Sequence, residues 1–421
     1  MELTRDEQEM LEGKEGLDRQ KAMELLIKYG DALGAKRFIN TDNVYVDPGA
    51  FPYLEVVKGK DVDDAASKFF LDSSERVVVD RVKAFTIAHV FTIDWGHWRL
   101  VGASESLRNS AEQMQIYCRR IGINLTCTCA PYLCGVVPVF GEHCAWVESS
   151  AIAYVNAIIG ARTNINGLES AFASALTGKT PYWGLHLDEN RLATIQVSVD
   201  LDLDSIMEHD LLGYYVGGVV GLDIPVYTNV RRTPSVSMLM ALSAAGATSG
   251  SIGMFHIAGV TPEARTLEEA TGNKKPKMTI NYGAEERKKA YGKLNKTQSE
   301  NVDIVDIGCP HYTLQQLGRV ARLLEGKKIH ENTLLLIHTA KQLKTVADRN
   351  GYTDIITKAG GHLLIDSCVL NIHLPASNVI ATDAAKCAHY LSGEGYDNIR
   401  YGTMEDCIQA AITSKWKGEL K

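Results

Sequence analysis

The sequence predicts an α/β fold of more than one lobe, with mostly parallel sheets flanked by helices. Three observations carry that expectation. The chain has 421 residues, whereas a single domain usually runs to roughly 100 to 200. Segments rich in β-branched residues alternate with helical ones, as in strands joined by crossover helices. Finally, apolar segments run into cysteines near their ends, and in open parallel sheets sites gather where strands end.

The opening LTRDE places Thr4 as a helix N-cap with Glu7 three residues on, and Ala22, Leu25, Leu26, Tyr29 and Leu33 follow at helical spacing, so the chain is expected to begin with helix. FTIAHVFTID, residues 85–94, is β-branched and aromatic and reads as a strand, while SLRNSAEQMQIYCRRIG beyond it reads as a helix ending at Gly122. INLTCTCAPYL breaks at Pro131, and SSAIAYVNAIIGA then reads as a buried helix with small residues on one side. Gly213, Gly217, Gly218 and Gly221 match neither dinucleotide nor phosphate-loop patterns and are assigned to helix packing. IVDIGCP and LLIDSCVL read as strands, with QQLGRVARLLEG as a helix between them. The polar residues 272–302 are expected to connect an N-terminal and central α/β region, residues 1–271, to a C-terminal α/β lobe, residues 303–421.

With 45% apolar and 23% charged residues the composition is globular, and a net charge of -7 argues against a nucleic-acid partner. MELTRDEQEM has no basic n-region or apolar h-region, and no apolar run reaches the about 18 residues a membrane span needs. A soluble, cytoplasmic protein without a membrane partner is expected. In that reducing setting nine cysteines are thiols rather than a disulfide framework.

Several of these thiols stand where chemistry is possible. Cys127, Cys129 and Cys134 cluster around Pro131, but no C-x₂-C pair marks a zinc site, and alone they read as buried thiols. Cys309, in DIGCPHYT, follows a strand and lies two residues from His311, so it is a nucleophile, a ligand or a core residue. Cys368 in LLIDSCVLN repeats the strand context. Three such thiols, if folding unites them, would hold three irons of a four-iron cluster and leave one open to substrate. Arg162 in GARTN needs an anion, either a protein carboxylate or a substrate carboxylate. His186 and His256 read as structural histidines by default.

These segments, in this order, resemble the aconitase X family, a branch of the aconitase superfamily of hydro-lyases. The likeness is dense from Thr128 on, through TCAPYLCGVVPVFGEHCAWVESSAIAYVNAIIGARTN, ALTGKTPYWGLHLDENR, SGSIGMFHIAGVTPEA, IGCPHYTL, IDSCVL and AAKCAHY. The N-terminal LTRDEQEMLEGKEG and KAMELLIKYGDALGA also match, so it spans nearly the whole chain.

The resemblance implies an aconitase-like multi-lobed architecture with a cluster site in the cleft between lobes. It implies ligation by Cys129, Cys309 and Cys368, with a 4Fe-4S cluster expected and 2Fe-2S or 3Fe-4S as alternatives. Cys118, Cys127, Cys134, Cys144, Cys387 and Cys407 then remain ordinary thiols. Glu148, Ser149, Ser150 and His311 are the catalytic candidates, with helix capping as the other reading of the serines and a place behind the cluster as that of His311. Asn43, Asn156, Arg162, Asn164 and Lys386 are the substrate-binding candidates. The implied activity is dehydration of a small hydroxy acid, first cis-3-hydroxy-L-proline, alternatively mevalonate 5-phosphate as the substrate of a large subunit. A small swivelling-domain subunit is expected to supply the catalytic base, since the chain ends at Lys421 without such an extension. A non-catalytic cluster-binding or redox-sensing protein and, less favoured, a zinc hydrolase are the readings of other classes. Departures from the family pattern concentrate at TDNVYVDPG and TIDWGHW, which bring in Asp94, Trp95, His97 and Trp98 and are expected to shape the pocket.

Overall fold

Strands whose connections return the chain to the same end pair in parallel, and three parallel sheets result. The computed structural model describes residues 1–420, the side chain of Phe51 excepted. The first sheet has three strands in the order Thr86–Ala88, Val44–Val46 and Ala145–Trp146. The second has four, His256–Ile257, Pro225–Thr228, Ile195–Val199 and Met278–Tyr282. The third has five, His362–Leu364, Leu334–Thr339, Ile304–Tyr312, Ile380–Thr382 and Ile399–Tyr401. Phe38–Asn40 and Lys179–Pro181 form a short antiparallel pair.

Local chemistry accounts for the elements. Thr4 and Glu7 close a reciprocal capping box on the helix Arg5–Leu11, and Leu17–Leu33 follows. The helix Glu105–Arg120 gives way to Gly122 at φ 86°, a conformation that favours glycine. Of the strand expected over residues 85–94, only Thr86–Ala88 forms. Beyond it Thr92 takes φ 65°, and the Phe91 N–H bonds the carbonyl of Asp366, so the chain leaves the sheet to meet the Cys368 segment.

The connector expected at residues 272–302 is instead structural: Met278–Tyr282 pairs with Ile195–Val199 over five positions, and the helix Ala284–Leu294 follows it. Its polarity is that of a sheet edge. Ile280 and Tyr282 face the core while Met278, Thr279 and Asn281 face solvent.

One apolar core joins both ends of the chain, running from Met23 and Leu26 through Val44, Ala88 and Met114 to Leu336 and Ile380. Separate cores fill the four-stranded sheet and the outer face of the five-stranded one. Among the described residues no helix is long and apolar enough to cross a membrane.

Of the glycines assigned to helix packing, Gly213 and Gly217 do that work between Ile206–Val220 and Val236–Gly250, whereas a Cβ on Gly218 or Gly221 would meet open space. A Cβ on Gly213 would come within 2.6 Å of the Leu242 carbonyl, and one on Gly250 within 1.8 Å of the Gly217 carbonyl. Gly250→Ala is therefore expected to lower the unfolding free energy by about 1–3 kcal/mol in chemical denaturation. Gly218→Ala, which meets open space, should leave it unchanged or raise it by about 0.5–1 kcal/mol.

Candidate active site

Each parallel strand delivers the residues after it to the same edge of its sheet. In the three-stranded sheet these are Asp47, His89 and Glu148, which follow Val44–Val46, Thr86–Ala88 and Ala145–Trp146. In the five-stranded sheet, Cys309 lies near the end of Ile304–Tyr312, Cys368 follows His362–Leu364, and Lys386 opens the helix after Ile380–Thr382. Ile304–Tyr312 is the switch point, since the chain goes on to Leu334–Thr339 on one side and to Ile380–Thr382 on the other. Gly308 there has φ 108°, and a Cβ would lie 2.4 Å from the His338 carbonyl.

The two edges enclose a cavity of about 510 Å³ whose lining includes Cys129, Cys309, Cys368, Glu148, Ser149, Ser150 and Lys386. A row of polar groups crosses one wall. Lys386 Nζ lies 2.5 Å from Glu148 Oε1 and 3.3 Å from Ser149 Oγ. Glu148 Oε2 is 3.6 Å from His89 Nε2, and His89 Nδ1 is 3.2 Å from Asp47 Oδ1. Burial works against ionisation of Glu148, but Lys386 and His89 outweigh it and hold the carboxyl at about 2. Burial likewise opposes a charge on His89, which Asp47 reverses, so the imidazole is held above its usual range. Glu148, rather than either serine, caps the helix Ser149–Tyr154, accepting the Ser150 N–H at 3.2 Å and its hydroxyl at 2.7 Å.

Burial pushes all three cavity thiols up, Cys368 to about 12. Their segments are tied together from behind. The His311 N–H donates to Cys129 Sγ at 3.2 Å, its Nδ1 contacts Thr128 Oγ1 at 3.0 Å, and its Nε2 contacts the Ser367 carbonyl at 2.8 Å. Ser367 Oγ meets His338 Nδ1 at 3.3 Å, and His338 Nε2 lies 2.9 Å from the fully buried Asp306.

Models described as the aconitase X first, second and third domains match residues 1–189, 193–292 and 302–413. The phosphomevalonate dehydratase large subunit of Methanocaldococcus jannaschii is 35% identical, an alignment covering 97% of this chain and 100% of that protein. The chain belongs to the aconitase X family. The cis-3-hydroxy-L-proline dehydratase of Hypocrea jecorina is 31% identical over 98% of this chain and 68% of its own length. The crystal structure of Thermococcus kodakaraensis aconitase X in its holo-form superposes with a TM-score of 0.85 at 33% identity, covering 98% of this chain and 100% of that one. As an aconitase X protein the chain is a dehydratase, that is, a hydro-lyase, and the non-catalytic and zinc-hydrolase readings give way.

Five residues expected in the aconitase X site are not among those that line the cavity. Arg162 satisfies its need for an anion within the protein, pairing with Asp188 and donating to the His186 carbonyl at 3.0 Å. Asn43 bridges Glu142 and the Trp146 indole, and Asn164 holds the backbone of Trp183 and Leu185. Asn156 is fully buried, bonded to the backbone of Thr163 and Gly253. His311 has both ring nitrogens engaged, with Thr128 Oγ1 and the Ser367 carbonyl. Sequence reasoning missed Asp47, His89, Asn371, His373, Tyr390 and Glu394 in the lining. For Asp47 and His89 the signal was there, since each directly follows a β-branched run, VYV and TIA.

The unfamiliar segment at residues 91–98 contributes one wall residue, Thr92, and otherwise braces Cys368. Asp94 Oδ2 accepts the Ile365 N–H at 2.8 Å, while its Oδ1 accepts the N–H groups of Gly96 at 2.8 Å and His97 at 2.9 Å. Asp94→Ala is expected to cost about 1–3 kcal/mol for the donors left unsatisfied. In the metal-free protein it should also speed alkylation of Cys368 relative to Cys129, read by peptide mass spectrometry. Equal rates in wild type and variant would count against the brace.

Lys386 depends on Asp210, whose Oδ2 accepts the Ala385 N–H at 2.6 Å and the Tyr401 hydroxyl at 2.9 Å. Burial raises this carboxyl to about 8. Its protonated form is thus favoured by folding: its contribution to stability is full below about pH 4, and is lost as pH rises through 8. Denaturation of wild type and Asp210→Asn between pH 4 and 9 should show wild-type stability falling relative to the variant as pH rises.

Proposed function

We propose that this chain is the large subunit of a dehydratase that binds an iron-sulfur cluster through Cys129, Cys309 and Cys368 and removes water from a small hydroxy acid. The observation that carries the reading is the meeting of these thiols, contributed by three distant segments, in one cavity with Lys386, Glu148 and Ser149. The residues fit such a group. Buried thiols without a cationic centre resist ionisation, a cost that cluster iron removes, and the N–H donated by His311 to Cys129 is of the kind that tunes cluster sulfur.

When bound, the cluster supplies Lewis acidity toward the substrate hydroxyl. The protein's part is positioning. Lys386 and Ser149 hold the substrate carboxylate by point charge and hydroxyl, while Glu148, kept ionised by Lys386 and His89, fixes the ammonium in place. Val90, Val147 and Leu370 exclude water from the wall. A base for the adjacent proton comes from a small partner subunit, in keeping with the "large subunit" in several relatives' names.

Cis-3-hydroxy-L-proline is the first choice of substrate, because no arginine among the described residues lines the cavity to clasp a phosphate. Mevalonate 5-phosphate is the second, favoured by relatives of that name matched along their full length. Anaerobic co-expression with the small subunit, iron and sulfide analysis, and assay on both compounds test the reading. Cys309→Ala is expected to lose cluster iron and activity, whereas Cys134→Ala, outside the cavity, should keep both. Full iron content in the Cys309→Ala protein would overturn the ligand set.

A further inference from the structure

The row Lys386, Glu148, His89, Asp47 is a file of alternating groups, ammonium, carboxylate, imidazole, carboxylate, each within 3.6 Å of the next. Its inner members answer one another, so what it offers a ligand is set by its ends. One end is Lys386 with the Ser149 hydroxyl; the other is Asp47. Asp47 is the most open member, its side chain 28% exposed against 13% for Glu148 and 10% for Lys386. One of its oxygens is braced by His89, itself only 9% exposed, which fixes the direction of the other.

The remaining charges of the lining point the same way. Among the described residues Asp47, Glu148 and Glu394 are its carboxylates, Lys386 is its only lysine, and its other basic groups are the imidazoles of His89 and His373. A phosphate dianion would meet carboxylates on either hand with one ammonium to hold it. A zwitterion finds a partner at each end, its carboxylate at Lys386 and Ser149 and its nitrogen at Asp47.

We infer that Asp47 is a specificity-determining residue that reads a cationic nitrogen, so that the cavity takes a hydroxylated α-amino or α-imino acid. This rests on the dehydratase reading above and narrows its substrate class.

The test uses the cluster-loaded complex of both subunits, carrying wild type, Asp47→Asn or Asp47→Glu, with thermal unfolding to confirm that each variant folds. Cis-3-hydroxy-L-proline, its N-acetyl derivative and mevalonate 5-phosphate are assayed, and binding of unreactive L-proline is measured by calorimetry. Asp47→Asn should raise KM for the hydroxyproline, and weaken L-proline, by about 10- to 100-fold, with kcat within a few-fold of wild type. Asp47→Glu should restore part of the loss, and the N-acetyl compound, lacking the cation, should bind wild type and Asp47→Asn alike. Unchanged KM in Asp47→Asn, or a fall in kcat without a change in KM, would overturn the inference, as would preferred turnover of mevalonate 5-phosphate; in each case the dehydratase reading survives. If wild type dehydrates none of the compounds, that reading fails, and calorimetry still decides Asp47: L-proline binding lost in Asp47→Asn supports the inference, and no binding to wild type refutes it.

Discussion

The site depends on a constraint of parallel pairing: strands that run the same way must all end at the same edge. Two sheets set edge to edge therefore bring six segments to one cavity, although Asp47 and Lys386 are more than 300 residues apart. Asp47 and His89 are the first residues past their strands, and Glu148 caps the helix after a third. The shared core from Met23 to Ile380 keeps the two edges in register.

Within that frame the cysteines are held by polar contacts rather than by apolar packing alone. His311 touches the Cys129 sulfur, the residue before it and the residue before Cys368, while itself standing two residues after Cys309. Asp94 anchors the approach to Cys368 from the opposite side. Both ring nitrogens of a buried histidine engaged in this way fix its orientation, and with it the backbone on either side. The cavity wall carries instead a row of charged groups of which Asp47, at one end, is the most open.

The strands and helices were legible where apolar period and capping agreed, as at Thr4 with Glu7 and at Ile304–Tyr312. They were not legible where tertiary pairing overrode local preference. FTIAHVFTID is β-branched to its end, yet it leaves the sheet at His89 because its backbone bonds to Asp366. Residues 272–302 read as a connector because an edge strand carries the same polar composition as a linker. Of the expected site residues, the three cysteines, Glu148, Ser149, Ser150 and Lys386, read from motif context, line one cavity, whereas Arg162 and the three asparagines are polar for internal reasons that sequence order does not reveal: Asp188, Trp146, Thr163 and Leu185 are neighbours only after folding.

The contacts of His311 bear on how the protein is made. Its partners Thr128 and Ser367 lie 183 residues before it and 56 after it, and Lys386 comes later still. During synthesis the first half of the site emerges and waits, with Cys129 and the strands around it lacking the segments that close over them. Contacts so far apart in sequence form slowly, and partly built sheets expose apolar edges meanwhile. The thiol of Cys129 is thus more open to oxidation in the nascent chain than in the folded protein, where it is part-buried, and the cavity around it is complete only after nearly all of the polypeptide has left the ribosome.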